Sequence, residues 1–326
     1  MNRECHVAVL SYHAWEIDPQ LVISDVRHLR NEGWLDISLE DLYGVLTGQR
    51  EYSCPVFHVT SDDGTRADSD FVAALRLISC PATLFVCLER MKDDVDALFR
   101  ELSRSSDYQI GDHTLRHDRA FQFRHVVGFY HVRRPLVSSP ERLGLKMGGP
   151  ICSYGPELCS PRFFPANGAI EACHRAARVL ENLESGCEWN TTLTNALVKS
   201  GFGFYRLGRL CVRGEYERRR EWEQRVHTYL SKGREALRQF LSKEPFAFAY
   251  PWWEPCDLAD YCLHQLQYKL TFSGFGLCKS MRPFRVPRLP ISKETPRPLN
   301  LEKLDALRPL PLTNQVRSLA RRLFYA

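Results

Sequence analysis

The sequence predicts an α/β protein built on parallel strands, and three observations predict it. Short apolar runs of strand character alternate with segments of helical periodicity. Caps, prolines and glycines separate them. Polar clusters follow directly after the apolar runs, where the carboxyl ends of parallel strands carry chemistry in this class.

The first run, His6 to Ser11, reads as a buried strand that delivers Tyr12 and His13. A helix follows over Asp18 to Glu32: Asp18 caps it, Pro19 sits in its first turn, Leu21, Val26 and Leu29 form its stripe, and Gly33 stops it. The strand Pro55 to Thr60 ends on Ser61-Asp62-Asp63-Gly64. Asp68 and Ser69 cap a helix carrying Phe71, Leu75 and Ile78 until Cys80-Pro81 breaks it. Ala82 to Cys87 is the next apolar run, Met91 to Ser103 the next helix, and Tyr108 to Gly111 a strand leading to Asp112-His113-Thr114. The rhythm is then lost until about Thr228. That stretch holds Pro and Gly clusters, a helical segment from Ala169 to Leu183 and a basic helix around Glu215 to Arg225; it is too long for a structureless loop. Alternation resumes with a helix Lys232 to Leu241, a strand Phe246 to Tyr250, a helix Leu258 to Gln267, and strands Lys269 to Gly274 and Arg285 to Ile291. The domains expected are therefore 1–117 with 229–295, an insertion 118–228 acting as subdomain or lid, and an extension 296–326.

Composition narrows the function classes. The chain has 326 residues, 44% of them apolar and 25% charged, a mix that folds and excludes disordered or collagenous classes. No apolar window of about 18 residues is present, so no membrane span is expected. The opening Met-Asn-Arg-Glu-Cys-His lacks the pattern of a secretory leader, so the expectation is a cytoplasmic protein. A net charge of +5, from 44 basic and 39 acidic residues, is too small to argue for nucleic acid. Twelve cysteines lie scattered without a C-x-x-C pair, which suits reduced, mostly buried thiols. The tail Asn314 to Tyr325 interleaves Arg317, Arg321 and Arg322 with apolar residues, a basic amphipathic helix that suits docking on the protein body or on an anionic membrane.

Two patterns point to chemistry. Asp62 and Asp63 stand side by side at a strand end, where one carboxylate can bind a divalent ion while its neighbour takes a proton from a water the ion acidifies. Taken alone, the same string is more often a capped turn. His113 and His117 are four apart, which on a helical turn places both imidazoles on one face to share an ion. Eleven histidines in 326 positions yield roughly 0.4 such pairs by chance, so the spacing alone decides nothing. Order changes the odds: Asp-Asp-Gly at one strand end precedes H-[ST]-x-x-H at another by one βαβ unit.

With these motifs in that order, the chain resembles the polysaccharide deacetylase family of NodB homology. Thr60 to Gly64 resembles the family's T-F-D-D-G, and His113 to His117 its H-[ST]-x-x-H. Phe246 to Trp252 resembles the F-A-Y-P-[YW] form of its third motif, found in the branch of poly-N-acetylglucosamine deacetylases. Leu10 to His13, Arg30 to Leu39 and Arg288 to Ile291 are similar to the same branch. The resemblance covers 6–117 and about 229–292 and implies a distorted or incomplete (β/α) barrel with a large insertion.

The resemblance also implies roles. Asp63, His113 and His117 become metal ligands, with zinc the default ion for such nitrogen and oxygen donors, and Asp62 the general base. His13 is the candidate acid, because the family's C-terminal L-x-H motif is missing and the Y-H branch is similar to this N-terminus. The backbone N–H of Trp252 is the candidate oxyanion donor. Substrate contacts are expected from Tyr250, Pro251, Trp253 and Arg288. Arg288 is also the candidate to hold the base in place of the family's third-motif arginine, near whose position Ala249 stands. Ser61 replaces an aromatic, and Asp112 stands where Asn or Ser is frequent. His264, Asp257 and Asp260 read as structural. The activity implied is metal-dependent N-deacetylation of a saccharide or lipid-linked saccharide; an O-acetyl esterase and a non-catalytic glycan-binding member are the alternatives. No nucleic-acid partner is expected, and oligomeric state stays open.

Overall fold

The computed structural model describes residues 6–90, 93–132, 145–180, 187–279 and 282–306. The expected helix at Asn314 to Tyr325 lies outside them. The chain opens with β1 (Val7–Tyr12), α1 (Pro19–Asn31), β2 (Leu35–Asp36), α2 (Leu39–Leu46), β3 (Val56–Ser61), α3 (Asp68–Leu77), β4 (Ala82–Val86), α4 (Asp93–Leu102) and β5 (Tyr108–Asp112). It continues through β6 (Arg119–Phe129), β7 (Pro150–Pro156), β8 (Phe163–Pro165), α5 (Asn167–Val179), α6 (Cys187–Lys199), β9 (Gly203–Arg206), β10 (Arg209–Val212), β11 (Gly214–Tyr216) and α7 (Arg219–Leu241). It closes with β12 (Ala247–Ala249), α8 (Asp257–Gln265), β13 (Leu270–Phe275), β14 (Val286–Pro290) and α9 (Leu301–Ala306).

Two compact units emerge. Among the described residues, those up to Arg116, Tyr229–Pro255 and those from Asp260 onward form the first; those of His117–Thr228 and Cys256–Ala259 form the second.

The first unit is a closed parallel barrel. Its strands run β1, β14, β13, β12, β5, β4 and β3, and β3 returns to β1. The short β2 pairs with the first residues of β3, on the edge that β4 takes over from Val59 onward. Strand periodicity sorts the side chains into two layers. Ala8, Leu10 and Tyr12 of β1, with Ala82, Leu84 and Val86 of β4, pack under α1, α3 and α4 against Val26, Phe71, Leu75 and Phe99. Val7, Val9, Val56, Phe85, Ala249, Leu270 and Phe272 form a second cluster, to which α2 adds Leu42 and Leu46. The inward layer turns polar toward the carboxyl ends of the strands, through His58, Thr60 and Thr83.

Local signals explain the elements. The Asp18 carboxylate accepts from Gln20 N at 2.9 Å, capping α1 as expected. No periodicity announces the helix α2; Ser38 Oγ accepts from Asp41 N at 3.1 Å and starts it. Two expectations change. Residues around Glu215 form β11, paired with β8, in place of a helix. The two helices expected on either side of Thr228 are one, α7, because nothing between Arg219 and Leu241 breaks it; Gly233 is accommodated mid-helix, where an added Cβ would lie 3.6 Å from Asp112 Oδ2.

The second unit has a four-stranded antiparallel sheet in the order β7, β6, β10, β9 and the β8–β11 ribbon. Its core joins Phe121, Ile151, Trp189, Leu193, Leu197 and Val212 beneath α5 and α6. Eleven cysteines lie among the described residues, nine of them buried. No helix among the described residues is long and apolar enough to cross a membrane.

Gly111 tests the barrel's tolerance, since a Cβ there would lie 2.3 Å from Phe85 Cε1. Gly111→Ala should lose about 1 to 3 kcal/mol of stability by overpacking, measured as a lower midpoint in urea unfolding at unchanged slope.

Candidate active site

Barrel geometry gathers the candidate residues before their chemistry is considered. His13 follows β1, Asp62 and Asp63 follow β3, Cys87 follows β4, His113 follows β5, and Tyr250 to Trp253 follow β12. All sit at carboxyl ends of parallel strands in the first unit.

Asp62 continues the inward register of His58 and Thr60 and is 2% exposed. Arg288, on β14, grips it in a bidentate pair, Nη1 to Oδ1 at 2.6 Å and Nη2 to Oδ2 at 2.7 Å. Burial alone would raise the Asp62 pKa. The Arg288 charge, the nearby His113 and the Arg288 hydrogen bonds override it and bring the pKa down to about 2. Arg288 is fully buried and spends both terminal nitrogens on Asp62, so the direct substrate contact expected of it gives way to holding Asp62.

Asp63 adopts φ +82° and Gly64 φ +69°. The turn folds tightly onto β4: a Cβ on Gly64 would lie 3.0 Å from Val86 Cβ. The Asp63 carboxylate accepts from the indole of Trp15 at 3.4 Å. His113 Nδ1 lies 2.8 Å from the Ala249 carbonyl, which can only accept; Nδ1 therefore carries the proton and Nε2 keeps its lone pair. Burial lowers the His113 pKa, which favours the neutral ring. Nε2 stands 3.9 Å from Asp63 Oδ1 and 4.0 Å from Asp62 Oδ2. Both gaps are too wide for hydrogen bonds, and the one to Asp63 suits two donors that each lie about 2 Å from a shared ion.

Ligating atoms of Asp63, Cys87 and His113 all lie within 4.8 Å of one another, and all three residues are buried. Sequence reasoning misses Cys87. Its one signal is position: it ends its apolar run as Asp62 follows its own strand. The expected helical turn from His113 to His117 is not formed. Thr114 and His117 take φ +70° and +56°, because the chain leaves β5 through a bend. His117 is half-buried and opens the second unit.

His13 is half-buried, with Nδ1 3.7 Å from Glu16 Oε2. Trp252 and Trp253 hold φ +59° and +61°. Trp252 is 37% exposed, whereas Trp253 stacks on Phe275 at 5.0 Å and covers the Arg288 guanidinium at 4.4 Å. Tyr250 is buried and donates to Asp260 Oδ1 at 2.7 Å, and Pro251 is buried beside it. The substrate contacts expected of Tyr250 and Pro251 thus meet a packed interior. Asp260 also pairs with Arg285, consistent with a structural part, and His264 is exposed on α8 near Phe284.

No family model matches the sequence, and no curated protein matches it. Solved structures do share the fold. A de-N-acetylase from Aggregatibacter actinomycetemcomitans aligns with a TM-score of 0.57 at 15% identity, covering 89% of this chain and 97% of that one. The BpsB deacetylase domain from Bordetella bronchiseptica gives 0.55 at 14%, covering 87% and 96%. IcaB from Ammonifex degensii gives 0.52 at 14%, covering 89% and 93%. At these identities the likeness establishes the barrel fold.

Asp112 offers a check on the electrostatics. Burial pushes its pKa up to about 6 although Tyr268 Oη and the Thr114 N–H both donate to it. A pKa raised on folding means the native state holds more protons than the unfolded chain between about pH 4 and 6, so this contribution to stability is lost as pH rises through that window. Asp112→Asn should remove the decline, so that the drop in urea-unfolding stability between pH 4.5 and 7 is smaller in the variant than in the wild type.

Proposed function

We propose that this chain is a metal-dependent polysaccharide deacetylase that removes the N-acetyl group from a sugar of a glycan or glycan precursor. The observation that carries the reading is the buried Arg288–Asp62 pair standing beside Asp63 and the lone-pair-bearing Nε2 of His113 at one end of a parallel barrel. The fold shared with a protein described as a de-N-acetylase and with one described as a deacetylase domain supports it.

Asp63 and His113 fit a divalent cation by donor type, burial and spacing. His117 completes the set by motif, and zinc is the ion such donors favour. When bound, the ion acidifies a water molecule and polarises the acetamide carbonyl. Asp62 stays ionised across the neutral range and accepts the proton of the attacking water, with Arg288 fixing the carboxylate so that little motion is needed. The backbone N–H of Trp252 donates to the oxygen that becomes negative as the carbonyl carbon turns tetrahedral. His13, steadied by Glu16, gives a proton to the amine nitrogen as the carbon–nitrogen bond breaks and acetate leaves. The exposed indoles of Trp15 and Trp252 offer apolar faces to a sugar ring. The substrate is an N-acetylated saccharide, free or lipid-linked.

Acetate release from a panel of N-acetylated sugars tests the reading. Asp62→Asn should lower kcat at least about a hundredfold, and undiminished release would refute the proton-abstraction role. His13→Ala should depress amide hydrolysis far more than hydrolysis of an O-acetyl ester of the same sugar, because an amine anion leaves poorly. Equal losses on both substrates would remove His13 as the acid.

A further inference from the structure

Cys87 has no part in the chemistry assigned so far, yet its sulfur lies among side-chain atoms that could hold an ion. On β4, Ala82, Leu84 and Val86 pack outward under the helices while Phe85 joins the second cluster, so the next residue in Phe85's register is Cys87. Cys87 is fully buried, and its thiol donates to the His113 carbonyl at 3.1 Å. That bond ties the end of β4 to the loop that carries His113. Its sulfur lies within 4.8 Å of the ligating atoms of both Asp63 and His113, while the tautomer imposed by the Ala249 carbonyl puts the ring's lone pair on Nε2.

We propose that Cys87 is itself a ligand of the ion in this site, so that the barrel unit alone supplies one oxygen, one nitrogen and one sulfur donor from three adjacent strands. The proposal rests on the deacetylase reading only for the presence of an ion. In the step it requires, the S–H bond breaks, the proton passes to solvent, and the thiolate's electron pair forms the bond to the ion. The hydrogen bond to the His113 carbonyl is given up. A thiolate is a soft donor, so this ligand set favours zinc or cobalt over magnesium, calcium or manganese.

The test uses the full chain loaded with zinc, and separately with cobalt. X-ray absorption at the zinc edge of the wild-type protein should show one sulfur at about 2.3 Å beside nitrogen and oxygen at about 2.0 to 2.1 Å. The cobalt form should show a sulfur-to-cobalt charge-transfer band in the near ultraviolet, lost in Cys87→Ser while the visible ligand-field bands remain. One bound equivalent with nitrogen and oxygen donors only would overturn the proposal, as would a sulfur signal unchanged in Cys87→Ser. The wild-type spectra decide the matter even where the variant does not fold. A sulfur-ligated ion in a protein that releases no acetate would uphold this proposal and sink the deacetylase reading; sulfur-free ligation with acetate release would do the reverse; no bound ion after loading would overturn both.

Discussion

A buried guanidinium locked to a buried carboxylate organises this molecule. Arg288 and Asp62 lie inside the barrel at 0% and 2% exposure, where burial strips both charges of most of their solvation. Their two parallel hydrogen bonds answer that deficit in part, and the faces of Trp253, Phe85 and Phe272, at 4.4, 5.5 and 5.9 Å from the guanidinium carbon, answer more. Such a pair adds little net stability compared with apolar packing, and removing one partner strands the other. Its value lies in direction: it aims one carboxylate at a single place and keeps it ionised, which an apolar core cannot do.

That pair depends in turn on the barrel's closure. Arg288 reaches Asp62 only because β14 pairs with β1 and β1 with β3, bringing together residues more than two hundred positions apart in sequence. The same closure explains why apolar residues fill one end of the interior and polar ones the other. His58, bonded to the Ile37 carbonyl and Thr83, marks the change, and burial lowers its pKa to about 4 so that it stays neutral there.

At the rim the backbone is held in conformations that non-glycine residues avoid. Asp63, Thr114, Trp252 and Trp253 all have positive φ, at about 1 to 3 kcal/mol each. These residues lie where strands must release the chain sharply enough for adjacent side chains to face one centre. Other turns of the chain carry the same conformation, at Ser79, Leu207, Ser242, Gln267 and Arg285; what sets these four apart is that they stand at the strand ends where the candidate residues gather. A thiol at the end of β4 fits the same plan, since every strand from β3 to β5 then contributes a group to that centre.

Much of this is legible in the order of the residues. The alternation of apolar runs and helical stripes, the Asp18 cap, the Asp-Asp-Gly turn and the order of the two motifs are local properties, written in residues a few positions apart. What local pattern does not hold is who faces whom. No spacing rule tells that Arg288 serves Asp62 and not a sugar, that Trp253 covers Arg288 while Trp252 stays exposed, or that His113 to His117 bends instead of making a helical turn. Local pattern is equally silent on Cys87, one of twelve cysteines, whose meaning comes from its register on β4. The sequence by itself determined the elements and the chemically capable residues, because propensity, capping and periodicity act over short range. Tertiary structure alone decided their partnerships, because burial and closure of the barrel bring distant strand ends into a space where each donor's neighbours set its role.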